Sequence, residues 1–196
     1  MAQTSTTLIS AKSHITSITG TDISLSATSG VYTISATSTV LTGAGKLAVG
    51  DLITVSGSAS NNSTFTVNTV VSTTELTVAE VITSENADGS STITLDHVGF
   101  VSDKAKGDGY YSQPDGVHTV AYQVANDFNA DATIKMQGTL ATTPTEDDWF
   151  DIANTTFTSD TSTLTSSFNF TGNYVWVRSK TQLLTAGTVN SILLNS

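Results

Sequence analysis

Apolar residues in this chain recur at every second position, in short runs parted by turns, and that spacing restricts the fold more than any other property of the sequence. In "TDISLSAT" Ile23 and Leu25 alternate with polar residues. "DLITVSG" sets Ile53 and Val55 on one face, "TFTVNTVV" Phe65 and Val67, "ELTV" Leu76 and Val78, and "STITLDH" Ile93 and Leu95. Side chains along a strand point alternately to opposite faces, so this is the pattern of half-buried strands. Turn formers separate the runs: Gly43 to Gly45, Gly57 through Asn62, Ser72 to Thr74, and Asp88-Gly89. Strands this short and this closely spaced form hairpins, which predicts a compact antiparallel barrel or sandwich over residues 23–97. No segment sustains a helical period; "TTELTVAEVITSE" comes nearest and reads better as strand.

The pattern breaks at "VGFVSDKAKGDGYYSQPDG", residues 98–116, where Lys104, Lys106, several Gly and Asp, and Pro114 read as a connection. Beyond it, "VHTVAYQVANDF" aligns Val120, Tyr122 and Val124, and "ATIKMQGTL" aligns Ile134, Met136 and, past Gly138, Leu140. "SSFNFTGNYVWVRSK" carries the strongest hairpin signal, with Thr171-Gly172-Asn173 between Phe168/Phe170 and Tyr174/Trp176. "GTVNSILLNS" supplies a last strand. Such strands fit an immunoglobulin-like or jelly-roll sandwich with Trp149 and Trp176 as core anchors. The expected class is therefore all-β, in two small antiparallel domains. An N-terminal arm (1–22), polar, nearly uncharged and flexible, precedes a barrel- or sandwich-like domain (23–97), a linker (98–112) and a β-sandwich (113–196).

Composition excludes several functions. Roughly a third of the residues are Ser or Thr, far above ordinary usage, but the recurrent Val, Ile, Leu and aromatic positions argue against disorder. Seven basic residues against 17 acidic ones give a formal charge of −10. Phosphate backbones and anionic membranes demand clustered Lys and Arg, so neither nucleic acid nor membrane is an expected partner. With no cysteine there is no disulfide, no thiolate catalysis and no Cys-ligated zinc. The start, "MAQTSTTLISAKSHITS", lacks the basic-then-apolar order of a signal peptide, and no apolar run approaches ~20 residues. The expectation is a soluble protein made in a cytoplasm.

Candidate chemistry is sparse. Glu146, Asp147, Asp148 and Asp151 offer oxygen ligands for calcium, but without the alternate carboxylates and spaced Gly of a calcium loop they read as a solvated turn, as do Asp103 and Asp108. His14, His97 and His118 lie far apart without carboxylates at ligand or triad spacing. "GAGKLAVG" lacks the spacing of a phosphate loop, and no G-x-S-x-G elbow is present. Asn61, Asn62, Asn154 and Asn169 open glycosylation sequons that a Thr-rich chain produces by composition. Arg178, the lone arginine, alternates with Tyr174 and Trp176, so its planar head is placed to stack on an aromatic ring or clamp a carboxylate. Tyr110 and Tyr111 are suited to stack on a sugar or fill a partner's pocket. No catalytic, metal or cofactor site is expected, and the chain does not read as an enzyme.

Two stretches carry a resemblance. "GDLITVSGSASNNSTFTVNTVVSTTELTVAEVITSENADGSSTITL" resembles a small β domain of tailed-bacteriophage structural proteins. The matching pattern is a Gly-Asp opening (Gly50, Asp51), "VSGS" (Ser56, Gly57), an Asn-rich turn (Asn61, Asn62), "TFTV" (Phe65, Val67), a Thr-Thr turn with "LTV" (Leu76, Val78), and an acidic "E-x-A". Over residues 113–196, "IKMQGTLATTP", "DDWFDI", "NFTGNYVWVRSK" and "GTVNSILLNS" are similar to a sandwich of marine-phage, including cyanophage, virion proteins. Neither motif has catalytic residues to carry over. The resemblance implies a virion structural protein assembled in the host cytoplasm. Within that class a capsid decoration or cement subunit is expected, a homo-oligomer such as a trimer that clamps the major capsid protein by many non-covalent contacts. A neck, tail or fibre component and a carbohydrate-binding module adsorbing to host glycan are the alternatives; a hydrolase fits least.

Overall fold

A computed structural model describes residues 5–111, 116–159 and 164–195. Pro114, the expected domain start at 113 and the first four residues of the expected arm lie outside them. Strands β1 (Ser5–Ile9) and β2 (Lys12–Ser13) lead into β3 (Ile18–Gly20), β4 (Ile23–Thr28), β5 (Val31–Ala36), β6 (Asp51–Ser56), β7 (Thr64–Ser72), β8 (Glu75–Val78) and β9 (Ile93–Val101). There follow β10 (Ala105–Lys106), β11 (Val117–Val124), β12 (Thr133–Thr139), β13 (Phe150–Asp151), β14 (Phe157–Thr158), β15 (Thr165–Thr171), β16 (Trp176–Gln182) and β17 (Thr188–Asn195). Single 3-10 turns span Asp108–Tyr111 and Glu146–Asp148, and no α-helix occurs among the described residues. The protein is all-β with antiparallel sheets, as the alternation predicts.

Two compact units divide the chain: Ile15–Phe100, here the inserted unit, and Met1–His14 with Val101–Ser196, the sandwich unit. This is not the sequential division expected. The segment read as an arm is divided between the units: β1 pairs with β17, placing Ile9 opposite Ile192, and β2 continues on β17 with Ser13 opposite Thr188, while β3 pairs with β9 in the inserted unit. The expected linker also holds structure, since β9 runs to Val101 and β10 pairs with β16. In both cases the stabilising partner lies far along the chain, where local pattern carries no trace of it.

In the inserted unit the strands run in the order β3, β9, β6, β7, β8, β5, β4. The sheet does not close into a barrel. It curls, because Ile23, Leu25 and Ile34 at one end share a buried cluster with Ile93 and Leu95 at the other. Every apolar pair singled out by alternation lies in that cluster: Ile53, Val55, Phe65, Val67, Leu76 and Val78. The hairpin between β4 and β5 turns on Ser29 (φ 53°) and Gly30 (φ 80°), the left-handed pair whose twist matches flanking strands. The outer edge of β4 is occupied. Leu25 exchanges two 2.8 Å main-chain hydrogen bonds with Glu85, and the Ala27 and Ala87 amides donate to Ser84 and Ser24 hydroxyls.

Side chains tie down the loops of this unit. Asp22 accepts from the hydroxyl and amide of Thr39 and from the Ser38 amide, which hold its carboxyl far below the usual range. Between β6 and β7, Asn62 bonds both main-chain groups of Ser58, while Asn61 accepts from the Thr83 amide at 2.7 Å and donates to its carbonyl. Glu85 accepts from the Ser58 hydroxyl, the Ala59 amide and Asn61 Nδ2, and these bonds keep it ionised below its ordinary pKa.

The sandwich unit has two sheets. One runs β1, β17, β11, β15, with β2 on β17; the other centres on β12 paired with β16, with β13 and β14 along β12 and β10 beside β16. Val120, Tyr122, Val124, Ile192 and Leu194 line the inner face of the first, and Ile134, Met136 and Val177 that of the second; all are buried. The Tyr122 hydroxyl reaches between the sheets to donate to the Thr155 carbonyl at 2.9 Å, and its ring lies 6.0 Å from that of Phe157.

Three local features differ from the pattern's expectation. Thr171-Gly172-Asn173 is not a hairpin turn: β15 pairs with β11 and β16 with β12, so the segment carries the chain from one sheet to the other. The glycine is still required, because at φ 154° it lets the Tyr174 ring press onto the backbone. Leu140 does not continue the row of Ile134 and Met136; Gly138 takes that position, a Cβ there would sit 2.6 Å from Tyr174 Cδ1, and Leu140, past the strand end, is 65% exposed. Trp149 and Trp176 are half-buried on the outside of the second sheet instead of anchoring the core.

Candidate functional site

Register decides what the second sheet presents outward. Opposed residues on antiparallel strands share a face, so pairing Gln137 with Arg178, Lys135 with Lys180 and Thr139 with Trp176 gathers all six on one surface. Pairing of Lys106 with Trp176 and of Asp151 with Gln137 adds two more. Of the seven basic residues, five stand on or beside this face (Lys104, Lys106, Lys135, Arg178, Lys180), leaving Lys12 and Lys46 elsewhere. In a chain of charge −10 that is a strong concentration.

Arg178 is its centre. The guanidinium makes a two-pronged bond to Glu146 at 2.9 and 2.7 Å, donates through Nε to Gln137 at 3.0 Å, and lies 4.2 Å from the centroid of the Trp149 ring. The two roles open to it in the sequence are thus both filled. Such planar, bidentate and stacked geometry is specific to arginine. Gln137 passes the chain on, donating to Asp151 at 2.9 Å, which also accepts from Lys135. Burial works against the ionised form of Asp151, but the bonds from Lys135 and Gln137 and the charges of Lys135 and Lys180 outweigh it, so its carboxyl lies below the usual range. Lys180 is shifted down, first by burial and then by the charges of Arg178 and Lys135.

At the other end of the face, Tyr110 packs on Trp176 with ring centroids 4.8 Å apart and meets Tyr111 edge-on at 5.1 Å. Lys104 Nζ stands 4.6 Å from the centre of the Trp176 ring, and Lys106 Nζ 4.2 Å from that of Tyr110. The turn bearing the tyrosines lies tight on the backbone, through Gly107 N to Val175 O and Gly109 N to Tyr174 O. A Cβ at either glycine would come within 2.6 Å of a carbonyl oxygen.

The remaining candidates do not converge. The acidic cluster divides its work: Glu146 meets Arg178, Asp151 meets Lys135 and Gln137, and Asp148 accepts from the amide and hydroxyl of Thr145, which lower its pKa. No group of three metal-ligating side chains occurs among the described residues. Two histidines do face carboxylates, which sequence spacing did not foretell. His97 Nε2 lies 3.5 Å from Asp51 Oδ1 and His118 Nε2 3.3 Å from Asp108 Oδ2. Both rings are buried and stacked on phenylalanines, His97 on Phe100 and His118 on Phe170, so neither has access to a substrate. The His14 amide bonds Gly187 O. Asp103 is exposed. The "GAGKLAVG" segment turns back on itself, with Lys46 N on Gly43 O and Leu47 N on Leu41 O. Among the sequon asparagines, Asn61 is buried and Asn62 tied to Ser58, Asn154 sits at φ 60° before buried Thr155, and Asn169 is exposed on β15.

The first sheet presents a different surface. Its outward rows, Asn195–Thr119–Asn169, Leu193–Ala121–Ser167 and Ser191–Gln123–Thr165, contain no charged side chain, and Ser5 and Thr7 extend them onto β1. Thr119 donates to Asn169 and Ser191 to Gln123 across the strands. β15, "TSSFNFT", ends the sheet with neither charge nor proline.

No known protein family matches the chain, and no curated protein matches it.

Proposed function

We propose that the chain is a virion structural protein of the decoration or cement kind, which adheres to a particle surface and to neighbouring copies through the uncharged outer face of the β1–β17–β11–β15 sheet. The observation that carries this reading is that face itself: a protein of charge −10 leaves one four-stranded surface without charge among the described residues. Like-charged subunits repel, and a surface of Thr, Ser and Asn is where two of them approach at least electrostatic cost. Among the described residues no strand pairs with the outer edge of β15, which offers main-chain groups for sheet extension. Four strands ~4.8 Å apart and about seven residues long cover roughly 450 Å². That falls below the ~800 Å² per partner of a standard interface, so a single contact is weak and many copies must act together.

Purified virions test this. The chain should be present in many copies per particle, and particles stripped in urea should rebind it. About a dozen copies or fewer, or co-purification with tails, would move the part to a neck, tail or fibre of cyclic symmetry.

A further inference from the structure

We infer that the patch formed by Lys104, Lys106, Tyr110, Tyr111 and Trp176 binds an acidic polysaccharide, one whose sugar units carry carboxylates. This stands independently of the adhesion reading above, which uses the opposite sheet.

Lys135 and Arg178 are matched by Asp151 and Glu146, but Lys104 and Lys106 meet only aromatic rings among the described residues. Seventeen carboxylates were available in the sequence to neutralise seven cations, and these two ammoniums are left facing π systems. An ammonium held on a ring keeps much of its positive field and accepts an anion on its open side. Of the adjacent acids among the described residues, Asp108 is turned to His118 and the Gly116 amide, and Asp103 is exposed and makes no ion pair with Lys104. Elsewhere the protein repels a polyanion, so an acidic chain is steered to this location.

The aromatic rings narrow the ligand class. A bare anion needs only the lysines, whereas Tyr111, 55% exposed, offers a ring face beside Lys106 Nζ, 5.5 Å from its centroid. One sugar unit stacked on that ring brings a ring-borne carboxylate within reach of the ammonium. Sugar recognition combines these parts, an apolar ring face against an aromatic and polar substituents against charged side chains. The platform is preorganised, because Gly107 and Gly109 let the 3-10 turn lie against the backbone at Tyr174 and Val175 and so fix Tyr110 over Trp176.

The test is titration calorimetry of the full-length chain at low salt with three probes: an oligouronate, a neutral glucan oligosaccharide of equal length, and a single-stranded oligonucleotide. Binding of the oligouronate alone is expected, weakening as salt is added. The double substitution Lys104→Gln with Lys106→Gln should weaken it at least tenfold, and Tyr111→Ala several-fold. Lys46→Gln, in the inserted unit, should change nothing. Both lysines are exposed, so the variants should melt as the parent does. Equal affinity for the neutral glucan, preference for the oligonucleotide, absence of oligouronate binding, or full affinity in the double variant would each overturn the assignment.

Discussion

The two sheets of the sandwich unit face solvent in opposite ways. On β12 and β16 the outward positions are Lys135, Gln137, Trp176, Arg178 and Lys180, and Lys135, Gln137 and Arg178 are joined with Glu146, Trp149 and Asp151 into one network of ion pairs, hydrogen bonds and a stacked ring. On β17, β11 and β15 the equivalent positions are Thr, Ser, Asn, Gln, Ala and Leu, and their side-chain bonds are isolated, such as Thr119 to Asn169. The first surface fixes its side chains through one another. The second leaves little that must be rearranged or desolvated on contact. Stability is therefore expected to rest on the charged face and the proposed adhesion on the neutral one, and substitutions on each should separate the two.

Arg178→Ala is expected to have the largest effect. It removes a buried guanidinium from two Glu146 oxygens, Gln137 and Trp149 together. Breaking a fully buried pair costs about 3–5 kcal/mol, and because Glu146 retains partial exposure about 2–4 kcal/mol is expected by urea denaturation. Arg178→Lys should recover less than half, since an ammonium cannot reproduce the fork. A loss below about 1 kcal/mol would mean that the network is surface decoration with no structural weight. Trp149→Ala comes next, at about 1–2 kcal/mol for a partly desolvated stack. A double-mutant cycle with Arg178→Ala should be clearly non-additive, since each change removes the same contact.

The sequence made one side of this contrast legible and hid the other. Inward positions could be read directly, because burial of Ile23, Ile53, Phe65, Val120, Tyr122 and Ile134 imposes a two-residue period. The outward network could not. Lys104 and Lys180 stand 76 positions apart, and only the β12–β16–β10 register brings the cations to one surface. Arg178 could be recognised as a stacking or clamping residue from its alternation with Trp176, but Gln137 and Glu146 carry no local mark of being its partners. The same holds for β1 on β17, for Asp51 beside His97, and for Thr171-Gly172-Asn173, whose composition suits a hairpin turn and an arch between sheets equally well. Local pattern reports which face a residue takes; partner choice is settled by pairings across the chain.

Acid should distinguish the faces as well. Asp151 has a folded pKa below its unfolded one, so its contribution is fully present above the unfolded value near 4 and is lost as pH falls through the folded value. Asp151→Asn should flatten that part of the stability profile below about pH 4, while substitutions on the neutral face should leave its shape unchanged. An acid limb identical in Asp151→Asn and the parent would remove this carboxyl from the account. On the neutral face, Thr119→Lys places one charge between Asn169 and Asn195. Unfolding should shift by no more than about 0.5 kcal/mol, yet rebinding to stripped particles should fall at least tenfold. Undiminished rebinding would take adhesion away from this sheet.

Lys180 supplies the smallest expected effect and the sharpest check on the charged face, because it sits in the network without being needed by it. Its folded pKa is depressed, chiefly by burial and then by Arg178 and Lys135, with Asp151 and Glu146 acting in the opposite sense. A lysine so placed is less comfortable charged in the folded protein than in the unfolded chain. At neutral pH it therefore subtracts from stability, and the deficit shrinks as pH rises from the folded pKa toward the unfolded value near 10.4. Lys180→Gln removes the charge while keeping most of the chain that covers the sheet, and it relieves repulsion on Arg178. Urea denaturation at neutral pH should find the variant equal to the parent or more stable by up to about 1 kcal/mol. A clear loss of stability would show that Lys180 helps to hold Asp151 and Glu146 in place, and that the face depends on its total positive charge more than on the geometry of one arginine.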